Sequence, residues 1–156
     1  MINLEDKLKV SAELQTLLAD FWHDVDTNWG RDAADFFTED GVFEASERTY
    51  VGRSKIEQFY RYRQDRGARV AVHAIANFRA EPTGPNEAVS TWYLILYASD
   101  GEPVLQSAPP IQIALATDHC TKGEDGRWRY RHRKFTTLFK GGVATTTMTE
   151  DYEKQG

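Results

Sequence analysis

Hydrophobic spacing changes once along this 156-residue chain, and the change limits the folds open to it. Up to Gly67 the apolar residues recur at helical intervals. Leu14, Leu17, Leu18, Phe21, Trp22 and Val25 line one broad stripe of an amphipathic helix that Gly30 should stop. "RDAADFF" suits a short second helix, and "EDGVFEASERTYVG" a small hairpin punctuated by Gly41 and Gly52. In "SKIEQFYRYRQ", Ser54 and Glu57 have capping-box spacing, with Ile56, Phe59 and Tyr60 inside. Beyond Gly67, residues 69–80, 87–98, 104–120 and 127–139 form long β-branched or aromatic runs. "EPTGPNE", "SDGEP" and "KGEDG" separate them, so successive strands should pair antiparallel. Pro109 and Pro110 imply a bend in the third run. Helices followed by a meander make an α+β fold with helices packed on one face of the sheet.

The totals remove several functions. A net charge of −5 disfavours nucleic acid and anionic membrane as partners. No apolar run approaches the roughly 20 residues that span a bilayer, and "MINLEDKLKV" lacks signal-peptide character. One cysteine, Cys120, permits no internal disulfide, which suits a cytoplasmic protein. "DHC" at 118–120 alternates across a strand, and His23 and His132 have no ligand spacing, so no metal is expected. "RWRYRHRK" separates into Trp128, Tyr130 and His132 on one side and Arg129, Arg131 and Arg133 on a solvated other. No internal repeat is present; 1–140 reads as one domain and 141–156 as a tail, either a disordered arm or a lid over a pocket.

One residue stands out. In the apolar strand "RVAVHAIANF", His73 occupies a place where valine would pack better, and an unpartnered buried imidazole costs about 1–3 kcal/mol. The candidate partner is Asp26 in "FWHDVDTNWG", four residues after Trp22 and eight after Leu18, beside the buried stripe. Asp24 and His23 fall on wetter faces. An Asp–His pair in a pocket gives an oriented neutral base. Tyr50, Asn77, Tyr93 and Thr117 are candidate donors to a developing oxyanion; Phe21, Trp29, Phe43, Phe59 and Trp92 are candidate pocket walls.

These residues also carry a family resemblance. "FWHDVDTNWG", "FFTEDGVFEA", "YVGRSKIEQF", the lone strand histidine and "DGRWRYRHRKFTTLF" together resemble the SnoaL-like, scytalone dehydratase-like branch of the nuclear transport factor 2 superfamily over about residues 10–140. The resemblance implies a cone: a curved antiparallel sheet, cystatin-like, wrapped around N-terminal helices with a pocket in its open end. It further implies a cofactor-independent, polyketide cyclase-like lyase or isomerase. His73 would be its base and Asp26 its orienting acid, acting on a small hydrophobic, aromatic or polycyclic molecule. Scytalone dehydratase has a tyrosine immediately before that Asp and a second pocket histidine; here the first is Val25, and "STWYLILY" holds no histidine. The alternative is a non-catalytic small-molecule binder, or a structural subunit resembling the small subunit of ring-hydroxylating dioxygenases.

The run "AVSTWYLILYA" is apolar on both faces: Trp92, Leu94 and Leu96 point one way, Val89, Tyr93, Ile95 and Tyr97 the other. Helices cover one face only. The expected outcome is a homodimer or homotrimer, eluting in size-exclusion chromatography above the 17.8 kDa of the single chain.

Overall fold

The computed structural model describes residues 2–141 and 148–156; residues 142–147 of the expected tail lie outside the described residues. The elements follow the change of spacing at Gly67. Helix α1 (Leu4–Thr27) leads through a 3₁₀ turn (Ala33–Phe36) to β1 (Phe37–Glu44), β2 (Thr49–Val51) and α2 (Arg53–Asp65). The meander follows as β3 (Arg69–Gly84), β4 (Glu87–Asp100), β5 (Gln112–Lys122) and β6 (Trp128–Lys140), then a single-turn helix, α3 (Glu150–Glu153). All six strands form one sheet in the order β2-β1-β6-β5-β4-β3. Every pairing is antiparallel except that of β1 with β6.

Local chemistry sets the helix ends. Asn3 caps α1 by accepting the Asp6 N–H at 2.8 Å, with Glu5 and Asp6 in the favourable first turn. At the other end Asp24 is buried rather than wet. Its side chain accepts from Asn28 Nδ2 (2.7 Å) and the Asp32 N–H (3.1 Å), and its carbonyl from Gly30 N–H (3.0 Å). That staple turns the chain at Gly30, where a positive φ and a Tyr60 ring 2.4 Å from any added Cβ demand glycine. The expected capping box of α2 does not form. Pairing of β2 with β1 ends at Val51, so Gly52 becomes the cap and Ser54 falls inside the helix. Arg53 anchors this start through the Phe37 carbonyl. The third run also begins later than expected, at Gln112, beyond Pro109 and Pro110.

Helix α1 lies against β3 and β6 on the inner face of the sheet. Phe21 centres the core there, meeting Trp22, Phe36, Phe37, Tyr60 and Tyr130 edge-on at 4.8–6.2 Å. Of the register shifts in the sheet, two decide which way later side chains face. On β3, Asn77 and Phe78 together oppose Trp92, and on β6 Arg131 is the extra residue between partners of His119 and Cys120.

The second bulge corrects the reading of "RWRYRHRK". Past it, the inward side is taken over by Arg133, which is 0 % exposed instead of belonging to a solvated basic face. Its Nε and Nη2 donate to the Asp118 carboxylate at 2.7 and 2.9 Å, and Trp92 Nε1 donates to the same group at 2.8 Å. The guanidinium carbon lies 3.9 Å from the Tyr130 ring centre and 4.6 Å from that of Phe21. Burial opposes the charge of Arg133, but Asp118 outweighs it and holds the guanidinium pKa above its ordinary value. Removing one partner of such a pair strands a buried charge. Asp118→Ala should therefore destabilise the fold by about 3–5 kcal/mol, measured by urea denaturation.

Candidate active site

The C-terminal end of α1 brings Asp26 onto the first strand of the meander. Its Oδ1 lies 2.6 Å from His73 Nδ1, and its Oδ2 accepts the His73 backbone N–H at 2.9 Å. One carboxylate thus holds both the ring and the main chain of the same residue. With Asp26 ionised, the ring proton sits on Nδ1 and the Nε2 lone pair is left free to accept one. The imidazole also stacks on Trp22, centroids 4.0 Å apart and planes 7° from parallel, so its rotation is blocked. The His73 side chain is 7 % exposed. Burial pushes its pKa below the ordinary 6.5, and the hydrogen bond and charge of Asp26 resist that without reversing it.

His73 lines a cavity that opens to solvent. Trp22, Phe43, Phe59, Leu94, Leu96 and Phe135 make most of its apolar wall, and the exposed β1–β2 turn around Ser46 and Glu47 borders it. Tyr50 is buried in the lining and stacked on Phe59 at 4.8 Å. Its Oη accepts the Met148 N–H at 3.4 Å, which leaves its own proton free to donate; burial raises its pKa.

Of the residues singled out from sequence, Asp26, His73, Tyr50, Phe43 and Phe59 meet around this cavity or directly behind it. Five others do not. Asn77 is the bulge residue, at φ 53°, exposed; the extra residue breaks the two-residue period that aligned it with His73. Tyr93 and Thr117 lie on the outer face, because the inward places beside them belong to Trp92, Leu94, Ala116 and Asp118. Trp92 itself is 0 % exposed and bonded to Asp118, so it belongs to the core, as does Phe21. Trp29 is 40 % exposed and borders an adjoining recess with Val25 and Asp26.

Polar lining residues that escaped notice include Arg63, Arg69 and Gln112. The signals were present for the arginines. Arg63 is four residues after Phe59 and seven after Ile56, on the buried face of α2; Arg69 shares the parity of Ala71 and His73. Gln112, buried, donates to Ser46 and Thr137 hydroxyls, contacts no sequence pattern announces.

Residues 148–156 dock instead of forming a loose arm. Met148 is buried, and Gln58 donates to the Tyr152 and Glu153 carbonyls at 3.2 and 3.0 Å. Arg48, another lining residue, binds the Met148 carbonyl and pairs with Glu153. Among the described residues no group of three or more His, Cys, Asp or Glu side chains could hold a metal, and no helix is long and apolar enough to cross a membrane.

Residues 6–134 match the SnoaL-like domain. Similar solved structures include a provisionally assigned scytalone dehydratase from Novosphingobium aromaticivorans (17 % identity, TM-score 0.76, covering 89 % of this chain and 91 % of that one). ActVI-ORFA from Streptomyces coelicolor is similar at 18 % identity and TM-score 0.70, covering 83 % and 98 %. So is a cystatin-like protein of unknown function from Nostoc punctiforme, at 21 % identity and TM-score 0.67, covering 87 % and 93 %. At these identities the likeness is one of fold. No curated protein sequence matches the chain significantly.

The opposing influences on His73 can be separated. Titrated by NMR, its imidazole should show a midpoint below 6.5, and Asp26→Asn should lower that midpoint further, since the group favouring the imidazolium is lost.

Proposed function

The chain belongs to the SnoaL-like domain family, and from that premise we propose that it is a cofactor-independent lyase or isomerase, dehydratase-like, with His73 as general base. What carries the reading is a single observation: an imidazole fixed by Asp26 at Nδ1, stacked on Trp22, and lining an open, largely apolar cavity. A satisfied structural histidine needs no cavity. The likeness to scytalone dehydratase-like and ActVI-ORFA folds supports a family of polyketide cyclase or isomerase type.

His73 Nε2 takes a proton from a carbon next to a carbonyl, and the electron pair moves into the carbonyl as an enolate. Asp26 stabilises the imidazolium that forms. Tyr50, in the same lining, would donate to the oxyanion. In a dehydration the enolate expels a β-hydroxyl group, the imidazolium returns the proton, water leaves and the base is restored. In an isomerisation the proton returns to another carbon. The apolar wall suits a small aromatic or bicyclic substrate. The alternative of a purely structural subunit gives no role to a neutral base held against open space.

Proton abstraction can be read without knowing the physiological substrate. Incubated in D₂O with 2-tetralone, the protein should exchange the α-protons above the buffer rate. His73→Gln should lower that exchange by about 10²–10⁴-fold while circular dichroism stays unchanged. The rate should fall on the acid side with a midpoint below 6.5, as protonation removes the base. Exchange unaffected by His73→Gln would refute the assignment.

A further inference from the structure

An apolar cavity with three guanidinium groups in its wall needs an account of where each charge goes, because a buried charge is costly unless paired. Arg48 is committed to the Met148 carbonyl and Glu153, and Glu47 at the rim pairs with Lys140. Arg69 is half committed. Its Nη1 donates to Asp100 at 3.2 Å, yet its side chain is only 9 % exposed and its Nε is buried with no hydrogen-bond partner. Arg63 lies across Tyr60 and Phe59, 5.6 and 6.0 Å from their ring centres, hydrogen-bonds the Tyr60 side chain and feels the charge of Asp26, but among the described residues no carboxylate comes within ion-pair distance of it. Asp26 has both oxygens on His73.

Arg63 and Arg69 line the main cavity and also the recess that exposes Asp26. They therefore stand at the end of the cavity where the His73–Asp26 pair sits. We propose that Arg63 and Arg69 form an anion receptor beside the base, and that the molecule this cavity takes carries a carboxylate close to the carbon that loses its proton. This rests on the reading that a small molecule enters the cavity to meet His73. A guanidinium with a free, desolvated N–H is the group best matched to a carboxylate, and in a dry site the contact is stronger than in water.

Further support comes from the charges themselves. Burial lowers the pKa of both arginines, and both in turn lower that of His73. A bound carboxylate relieves all three effects at once, so the substrate itself strengthens the base that acts on it.

The test compares 2-naphthoate with its neutral isostere 2-naphthamide by isothermal titration calorimetry. The wild-type protein should bind the naphthoate at least tenfold more tightly. Arg63→Gln should reduce that preference to within about twofold while leaving naphthamide affinity unchanged, and Arg69→Gln should weaken it in the same direction. Arg63→Lys, which keeps the charge without the fork, should fall between. His73→Gln should retain the preference, so failure of the base assignment, read by deuterium exchange, is separable from failure of the receptor. Equal affinity for the two compounds, no naphthoate binding at millimolar concentration, or a preference that survives both glutamine variants would overturn the proposal.

Discussion

A carboxylate that binds the backbone and the ring of one histidine ties a helix to a strand at a single point. Asp26 does this for α1 and β3. Because the main-chain N–H of His73 is one of its two ligands, the position of the strand and the orientation of the imidazole are set together. Trp22, one turn earlier on the same helix, closes the remaining freedom by stacking on the ring. Helix α1 thus supplies the acid, the aromatic platform and the apolar stripe that fills the sheet, so site geometry and core packing share one element. A shift of α1 large enough to loosen the core would also misplace His73.

A second buried polar cluster links three strands of the sheet behind the site. Asp118, Arg133 and Trp92 exchange three hydrogen bonds at 2.7–2.9 Å in the middle of the meander. Such a cluster is weak evidence for stability as a whole, since desolvating two ions offsets most of their attraction. Its effect is specific: β4, β5 and β6 must keep their register for the three groups to meet. Trp92, Leu94 and Leu96 then face inward as a set, and the last two become cavity wall. The fold keeps the Arg133 charge paired with Asp118 in the core, although one guanidinium nitrogen, Nη1, lacks a hydrogen-bond partner there, and leaves Arg63 and Arg69 at the cavity.

The strands and helices were legible because their periods differ: 3.6 residues in α1 and α2, two in the meander, with turn clusters between. His73 was legible because it is polar in an apolar strand, and Asp26 because its helix position falls beside the apolar stripe. Two of the misplaced residues share one cause. Asn77 and Arg133 were assigned faces by counting in twos, and each lies at or beyond a bulge, where one added residue reverses every later side chain. Asp24 was judged by its helix face alone, although the chain folds back over it to be stapled.

The sequence by itself determined the α+β class, the order of elements, and the two residues that would form the dyad, because periodicity and the cost of a buried polar group are properties of short stretches. Only the tertiary structure decided which side of the bulges each residue faces, that Arg133 belongs to the core, and that Arg63 and Arg69 converge beside His73. Those outcomes depend on which strand pairs with which and at what offset, and that is settled by the packing of the whole sheet on α1, which no local stretch of residues encodes.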